Sequence, residues 1–253
     1  MSMFQQSWIL GRRALREALR TPDSLIPTLF IPVFFLVVNT GQAGKVFPDD
    51  TPFLKGQNYA AFQLPVSMLL AASFGSAALY LVEEIEGGYF DKLRAAPISR
   101  SAIVLGRLYA EFFKSIAIST AMILIGFAFG VRIESGILGY LLLIAMISLW
   151  AVVFSGFMQL IALKSRSAAA TNAGGLIFFP LLFLTPNFVP RDNLTRPMEI
   201  AATFNPVTYL MEAIRSLVIE GFEWDTIGKG FAVVAGGMAL MLFLSVRLIN
   251  NYD

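Results

Sequence analysis

Six stretches of this 253-residue sequence are apolar over the length that an α-helix needs to cross a lipid bilayer. One crossing takes about 20 helical residues. The predicted spans are residues 24–44, 59–82, 108–131, 137–163, 168–189 and 227–247. These runs are long and continuous, whereas strands of a membrane barrel show short alternating segments. The sequence therefore predicts an all-α membrane protein with six transmembrane helices.

The composition supports this prediction and excludes several classes of protein. Hydrophobic residues make up 57% of the chain and charged residues 14%, whereas soluble domains carry about 25% charged residues. The sequence contains neither cysteine nor histidine, which excludes disulfide frameworks, thiol nucleophiles and imidazole-based catalysis. No glycine-rich nucleotide-binding motif is present. We therefore predict no catalytic residues, no metal site and no cofactor in this chain.

The basic residues are distributed unequally between the two sides of the predicted membrane. Eleven lie on the side of the termini and of the loop 83–107, and seven lie on the other side over longer loops. Lysine and arginine are enriched in cytoplasmic loops. Both termini are therefore predicted to face the cytoplasm.

The segment 1–23 has the pattern of an amphipathic helix lying in the membrane plane. Trp8 and Leu15 belong to an apolar face, and Arg12 and Arg16 belong to a basic face. Such helices bind membrane interfaces through both faces. The segment acts either as a topology anchor or as a docking element for a partner.

The loop 83–107 carries apolar residues among its charges. Phe90, Leu93 and Arg94 share one face of a predicted short helix, which Pro97 ends, and Ser99 is placed to cap the helix that follows. Apolar anchors in a charged loop favour docking to another protein over a solvated connector.

Residues 190–221 are too polar for an ordinary span, yet they include a helical apolar stripe that begins at Val207. A helix entered at Pro206 and ending near Leu217 is too short to cross the bilayer. We predict a re-entrant helical hairpin on the outer side, between spans five and six. Glu212 and Arg215 have the spacing of an ion pair on one helix.

Polar residues within the spans are few. Glu111 and Lys114 are predicted to form a structural ion pair whose groups reach the interface. Four neutral polar residues either face a substrate path or bond between helices, which is the commoner use. They are Gln63, Gln159, Thr171 and Asn172.

Two motifs carry a resemblance to a known family. The segment from Glu86 to Arg100 is similar to the coupling loop of ABC-2 type permeases, although Gly88 stands where that family often has threonine. The second motif consists of Phe188-Val189-Pro190, then Asn205-Pro206-Val207-Thr208-Tyr209, then Arg215. The resemblance covers nearly the whole chain and treats residues 1–253 as one transmembrane domain. Within the family, the chain resembles the daunorubicin-resistance type of drug exporter.

This resemblance implies a permease subunit in a cytoplasmic or inner membrane, without enzymatic activity of its own. Two permease copies or close paralogues would pair, and separate ATP-binding-cassette ATPases would supply the sites for ATP and magnesium. The coupling-loop residues implied are Glu86, Gly87, Gly88, Phe90, Asp91, Leu93, Arg94 and Pro97. The outer gate residues implied are Asn205, Pro206, Tyr209, Leu210, Ile214 and Arg215. The cargo would be a drug-like or lipid-like amphiphile.

Three alternatives stay open at this point. A permease for lipid-linked glycans would share the same architecture. An ion-coupled secondary transporter predicts internal repeats and mid-membrane charges, and the sequence shows no clear repeat and no mid-span acid. A membrane scaffold or assembly factor would also explain the apolar residues of the loop 83–107.

Overall fold

The structure is a computed structural model that describes residues 2–20, 22–74 and 78–250. Every regular element in these ranges is a helix, which confirms the all-α prediction. In chain order the α-helices are α1 (Met3–Arg20), α2 (Pro22–Ala43), α3 (Tyr59–Ser73), α4 (Ala78–Glu86), α5 (Tyr89–Ala95), α6 (Arg100–Ala128), α7 (Gly136–Ser165), α8 (Ala168–Gly175), α9 (Phe178–Phe183), α10 (Arg196–Phe204), α11 (Pro206–Ile219) and α12 (Trp224–Asn250). Short 3-10 helices cover Pro52–Leu54 and Arg191–Asn193.

Three helices in the described residues are long and apolar enough to cross a membrane. They are Arg100–Ala128, Gly136–Ser165 and Trp224–Ile249, and they match the predicted spans three, four and six. The three helices pack against one another. The loop 83–107 is shorter than predicted, because α4 extends into it and α6 begins within it at Arg100.

The predicted spans 59–82 and 168–189 are each divided between two helices in the described residues, α3 and α4 in the first and α8 and α9 in the second. Helix α3 ends because Phe74 is extended, with φ −87° and ψ 153°. Helices α8 and α9 are separate because Pro180 has no N–H to donate to the Leu176 carbonyl. That carbonyl accepts instead from Phe179 N, at 3.1 Å. The two interruptions are neighbours, since the rings of Phe74 and Phe179 lie 5.6 Å apart.

Helix α1 packs along the first turns of α6. Two glycines allow this close approach: a Cβ atom on Gly11 would lie 2.8 Å from the carbonyl oxygen of Gly106. The ring of Trp8 meets the ring of Tyr109 edge-on, with 5.0 Å between centroids. Phe4 remains exposed on the outer face of α1.

The two ends of the bundle are distinguished by what lies beside α6. At its start α6 contacts α1, and we call this the α1 end. Beyond its last residue, the loop leading to α7 meets the end of α11, where Glu134 N donates to Val218 O at 3.1 Å. The hydroxyl of Ser135 donates to Leu217 O at 2.6 Å. We call this the α11 end.

Candidate functional site

At the α1 end, the short helix α5 is attached to the bundle through Phe90. Gly88 precedes the helix with φ 70°, a left-handed conformation that glycine adopts without strain. The turn directs the Phe90 side chain into the core, where it is 1% exposed. The prediction that Phe90 faces a partner protein was therefore wrong for this conformation: its ring fills space inside its own chain.

The outward surface around α5 is formed by other residues of the predicted coupling loop. Leu93 is half-buried against the core, and the side chain of Arg94 lies outside the described part of the structure. The exposed residues define what we call the docking face. They are Glu86, Gly87, Tyr89, Asp91, Lys92, Ala95 and Pro97.

Glu84, two residues before Glu86, connects three helices at this end. One carboxylate oxygen accepts from Arg13 of α1 at 3.2 Å, and the other accepts from Arg107 of α6. Arg13 also donates to the Tyr89 hydroxyl at 2.6 Å and lies over its ring. These charge-assisted hydrogen bonds, the stronger kind of hydrogen bond, thus join α4 to both α1 and α6 and join α5 to α1.

The ion pair between Glu111 and Lys114 is present, with Lys114 Nζ 2.8 Å from a carboxylate oxygen. The prediction that both groups reach the interface was wrong, since their side chains are 2% and 6% exposed. The cause is α1, whose residues Ala14 and Ala18 enclose a small cavity with the pair. Both residues lie on α6, so the pair satisfies two buried charges within one helix.

At the α11 end, Asn205 determines where α11 begins. Its side-chain oxygen accepts from Val207 N at 3.0 Å, which caps the helix, and its amide donates to Leu181 O. Pro206 occupies the first helical turn, where a missing N–H costs nothing. The Tyr209 hydroxyl donates to Thr203 O at 2.8 Å and so ties α11 to α10.

The predicted pairing of Glu212 with Arg215 was wrong. Glu212 instead accepts two hydrogen bonds from Arg191, both 2.9 Å long. Burial lowers the pKa of Arg191, but the Glu212 carboxylate outweighs this effect and the pKa is raised. Arg215 is turned inward, where its guanidinium stacks 3.5 Å from the centroid of the Phe62 ring. Its Nη1 donates to Pro186 O at 3.0 Å.

The apolar gate candidates Leu210 and Ile214 are fully buried, at 0% exposure each. Helix α11 contacts α3, α7, α9 and α12, so it is enclosed by protein on several sides. At 14 residues and 1.5 Å per residue it is about 21 Å long, which is shorter than a hydrocarbon core of roughly 30 Å.

The four neutral polar residues are not gathered in one place. Gln63 is fully buried, and its amide donates to the Tyr59 hydroxyl at 2.9 Å and to Asn187 O at 3.0 Å. It therefore bonds between elements, the commoner of the two predicted uses. Gln159 and Thr171 are buried, and each donates a hydrogen bond to a residue four positions earlier in the chain. Asn172 is exposed.

The residues that sequence reasoning missed are Arg13, Glu84, Arg107 and Arg191. Arg13 and Glu84 each stand beside a residue of like charge, whereas Arg107 and Arg191 do not. For all four, helical spacing does not show which distant group the residue meets. No signal in the sequence distinguishes Glu84 from Glu83, the acid that directly follows the apolar run.

These features define a multi-helix membrane protein with a partly exposed short helix at one end and a buried short helix at the other. The sequence profile described as ABC-2 type transporter matches residues 5–219. The chain therefore belongs to the ABC-2 type transporter family, as its motifs indicated. It is a membrane permease subunit of an ATP-binding-cassette exporter, a family that works with ATP-binding-cassette ATPase partners.

Similar proteins extend over almost the whole chain. The daunorubicin resistance ABC transporter permease protein DrrB1 of Streptomyces coeruleorubidus is 27% identical over 249 residues, covering 94% of this chain and 84% of that protein. The putative transport permease ycf38 of Cyanophora paradoxa is 26% identical over 97% of this chain and 86% of its own length. The probable doxorubicin resistance ABC transporter permease protein DrrC of Mycobacterium tuberculosis is 20% identical over 85% of this chain and 78% of its own.

Proposed function

We propose that two copies of this chain form the membrane core of an exporter for drug-like or lipid-like amphiphiles. Separate ATPase subunits bind at the docking face and supply the nucleotide sites, and the chain itself binds no nucleotide. Both termini and α5 face the cytoplasm, and the hairpin of α10 and α11 closes the outer end as a re-entrant gate. The relatives named as daunorubicin and doxorubicin resistance permeases support an amphiphilic cargo.

The observation that carries this proposal is the construction of the α1 end. The docking face is exposed, while Phe90 is buried in the core and Arg13 of α1 donates to Tyr89 of α5. Glu84, at the end of the neighbouring helix α4, accepts from α1 and from α6. A partner that pushes on α5 therefore acts on α6 through α1 and α4. An unattached solvated loop would transmit no such displacement.

A steric test addresses the docking face without assuming the charge of the partner. Ala95 is exposed near the end of α5, so Ala95→Trp places a large ring on the face and leaves the core intact. We expect Ala95→Trp to abolish co-purification with the ATPase and to reduce ATP hydrolysis by the assembled complex. Glu223→Trp, an exposed position before α12, is the matched control and should retain both. Normal assembly of Ala95→Trp would show that the ATPase binds elsewhere.

A transport assay separates the candidate functions. Inverted vesicles carrying the permease and its ATPase should accumulate a fluorescent amphiphile with ATP, and a dissipated proton gradient should leave the rate unchanged. Accumulation that follows the proton gradient would indicate a secondary transporter. Selective movement of a lipid-linked glycan would indicate the glycan exporter.

A further inference from the structure

The C-terminal end of α11 is capped by parts of the chain that are distant in sequence. The last four carbonyl groups of a helix have no partner within it. In α11 the Leu217 carbonyl accepts from the hydroxyl of Ser135 at 2.6 Å and from its N–H at 3.3 Å. The Val218 carbonyl accepts from Glu134 N at 3.1 Å. The loop between α6 and α7 thus supplies three donors to this helix end.

Gln57, in the loop between α2 and α3, completes the contact. The residue is 7% exposed. Its Nε2 atom donates to the same Val218 carbonyl at 3.0 Å, and its Oε1 atom accepts from Arg132 N at 2.9 Å. A glutamine amide can bridge two segments in this way because it carries both a donor and an acceptor. We call Gln57, Arg132, Glu134 and Ser135 together the capping cradle.

Two glycines make the position of the Ser135 hydroxyl possible. Gly139 lies four residues further along the chain, and a Cβ atom there would overlap the side chain of Ser135. Gly136 lies between them with φ 61°, a left-handed conformation that favours glycine. The turn into α7 is therefore built so that Ser135 can reach α11.

The capping cradle lies beside the end of α6. This helix begins at Arg100, close to the docking face, and ends at Ala128, shortly before Arg132. Its sequence contains no proline, the residue that most often kinks a helix sharply. Helix α6 therefore connects the α1 end of the bundle directly to the segment that caps α11.

We propose that Gln57 and Ser135 are positioning residues for the export cycle, which hold α11 to the end of α6 so that the two move together. The inference rests on the proposed function, in which the ATPase acts near the start of α6 and α11 closes the opposite end. The bonds of the capping cradle persist through the cycle, because breaking them would leave buried carbonyl groups without donors. Without the cradle, the ATPase still binds and hydrolyses ATP, but α11 no longer follows α6.

Backbone hydrogen exchange of the full-length chain in micelles tests the contact itself. The N–H groups of Arg132, Glu134 and Ser135 lie in a loop, yet each donates to an acceptor outside it. We expect slow exchange at all three, in the chain alone and in the complex with its ATPase, with and without ATP. Gln57→Leu removes both polar groups of the bridge and should speed exchange at Arg132 by about fivefold. Gln42→Leu, at an exposed glutamine of α2, is the matched control and should leave it unchanged.

The amount of a fluorescent amphiphile transported per hydrolysed ATP tests the role of the cradle. A loss of folded protein lowers transport and hydrolysis together, so a purely structural defect leaves this ratio unchanged. We expect Gln57→Leu to lower the ratio by about fivefold and to retain co-purification with the ATPase. Gly139→Ala displaces the Ser135 hydroxyl and should lower it similarly. Gly236→Ala is the control for that variant, because a Cβ atom at Gly236 meets nothing within 4 Å. If Gly139→Ala fails to fold, Gln57→Leu still decides.

Two results would overturn this inference and leave the exporter in place. One is a parent-like ratio in Gln57→Leu beside a parent complex that transports. The other is rapid exchange at Glu134 and Ser135 once ATP is added, since the cradle would then open instead of moving with α6. A parent complex without any ATP-driven transport would overturn the proposed function, and the coupling role with it. Slow exchange in the parent chain would still establish the contact in that case.

Discussion

Both carboxylate oxygens of Glu212 accept hydrogen bonds from Arg191, at 2.9 Å from Nε and from Nη2. This pair joins the 3-10 helix Arg191–Asn193 to α11, and each side chain is about three-quarters buried. Arg191 also lies over the Tyr209 ring, 5.1 Å from its centroid. The contact therefore fixes the approach to α11 at the α11 end of the bundle.

The first prediction concerns the strength of this pair. A double-mutant cycle with Arg191→Gln and Glu212→Gln should give a coupling free energy of about 1 kcal/mol, because the geometry is bidentate and partly desolvated. Denaturant unfolding in mixed micelles measures it. The control is the same cycle at Arg196 and Glu199, a single exposed contact of 3.0 Å, which should give about 0.3 kcal/mol. Equal couplings in both cycles would contradict the prediction.

The second prediction concerns Glu84, whose carboxylate meets both Arg13 and Arg107. Glu84→Gln should lower the free energy of unfolding by about 2 kcal/mol, since the buried Arg107 guanidinium loses its charged acceptor. Glu83→Gln removes the exposed neighbouring acid and should change stability by less than about 0.5 kcal/mol. The two variants are compared by unfolding in the same micelles. Similar losses would mean that Glu84 is not the connecting residue.

The third prediction concerns the contact of α1 with α6. A methyl group on Gly106 would lie 2.9 Å from Leu10 Cβ and 3.0 Å from Ser7 O, so Gly106→Ala should destabilise the protein by about 1–3 kcal/mol through overpacking. Gly228 has open space around the same position. Gly228→Ala should therefore stabilise α12 by about 0.5–1 kcal/mol. The two shifts should have opposite signs in thermal unfolding, and equal signs would refute the close contact.

The fourth prediction concerns the orientation of the chain, which contains no cysteine. Asp91→Cys on the docking face should be protected from an impermeant thiol reagent in intact cells and should react after the cells are opened. Glu223→Cys, before α12, should react in intact cells. Labelling of position 91 from outside would reverse the proposed topology.

Local sequence patterns predicted a large part of the fold. The amphipathic pattern of the first residues, the proline at position 206 and the glycine at position 88 each act on their nearest turns, and α1, α11 and α5 begin or end beside them. Hydrophobic runs likewise predicted α6, α7 and α12 as long helices. Such signals are local because helix hydrogen bonds join residues only four positions apart.

Partners distant in sequence were not predictable in the same way. Phe90 was expected to face outward because its neighbours are charged, yet the turn at Gly88 directs it into the core. Glu212 was assigned the nearest basic residue, Arg215, whereas the folded chain brings Arg191 to it. Pro180 itself indicates the interruption between α8 and α9. The prediction nevertheless treated 168–189 as one span, because the apolar run is long enough to cross the bilayer.

The difference between continuous and interrupted helices has a mechanical consequence. Helix α6 is an unbroken run of 29 residues, about 43 Å long at 1.5 Å per residue, and it begins directly after the docking face. A sharp kink in it would break backbone hydrogen bonds, so α6 is a stiff strut from the neighbourhood of α5 to the α11 end. Helices α8 and α9 instead cover one predicted span in two shorter pieces beside Phe74. The bundle thus contains both a continuous rod and a predicted span divided between two helices.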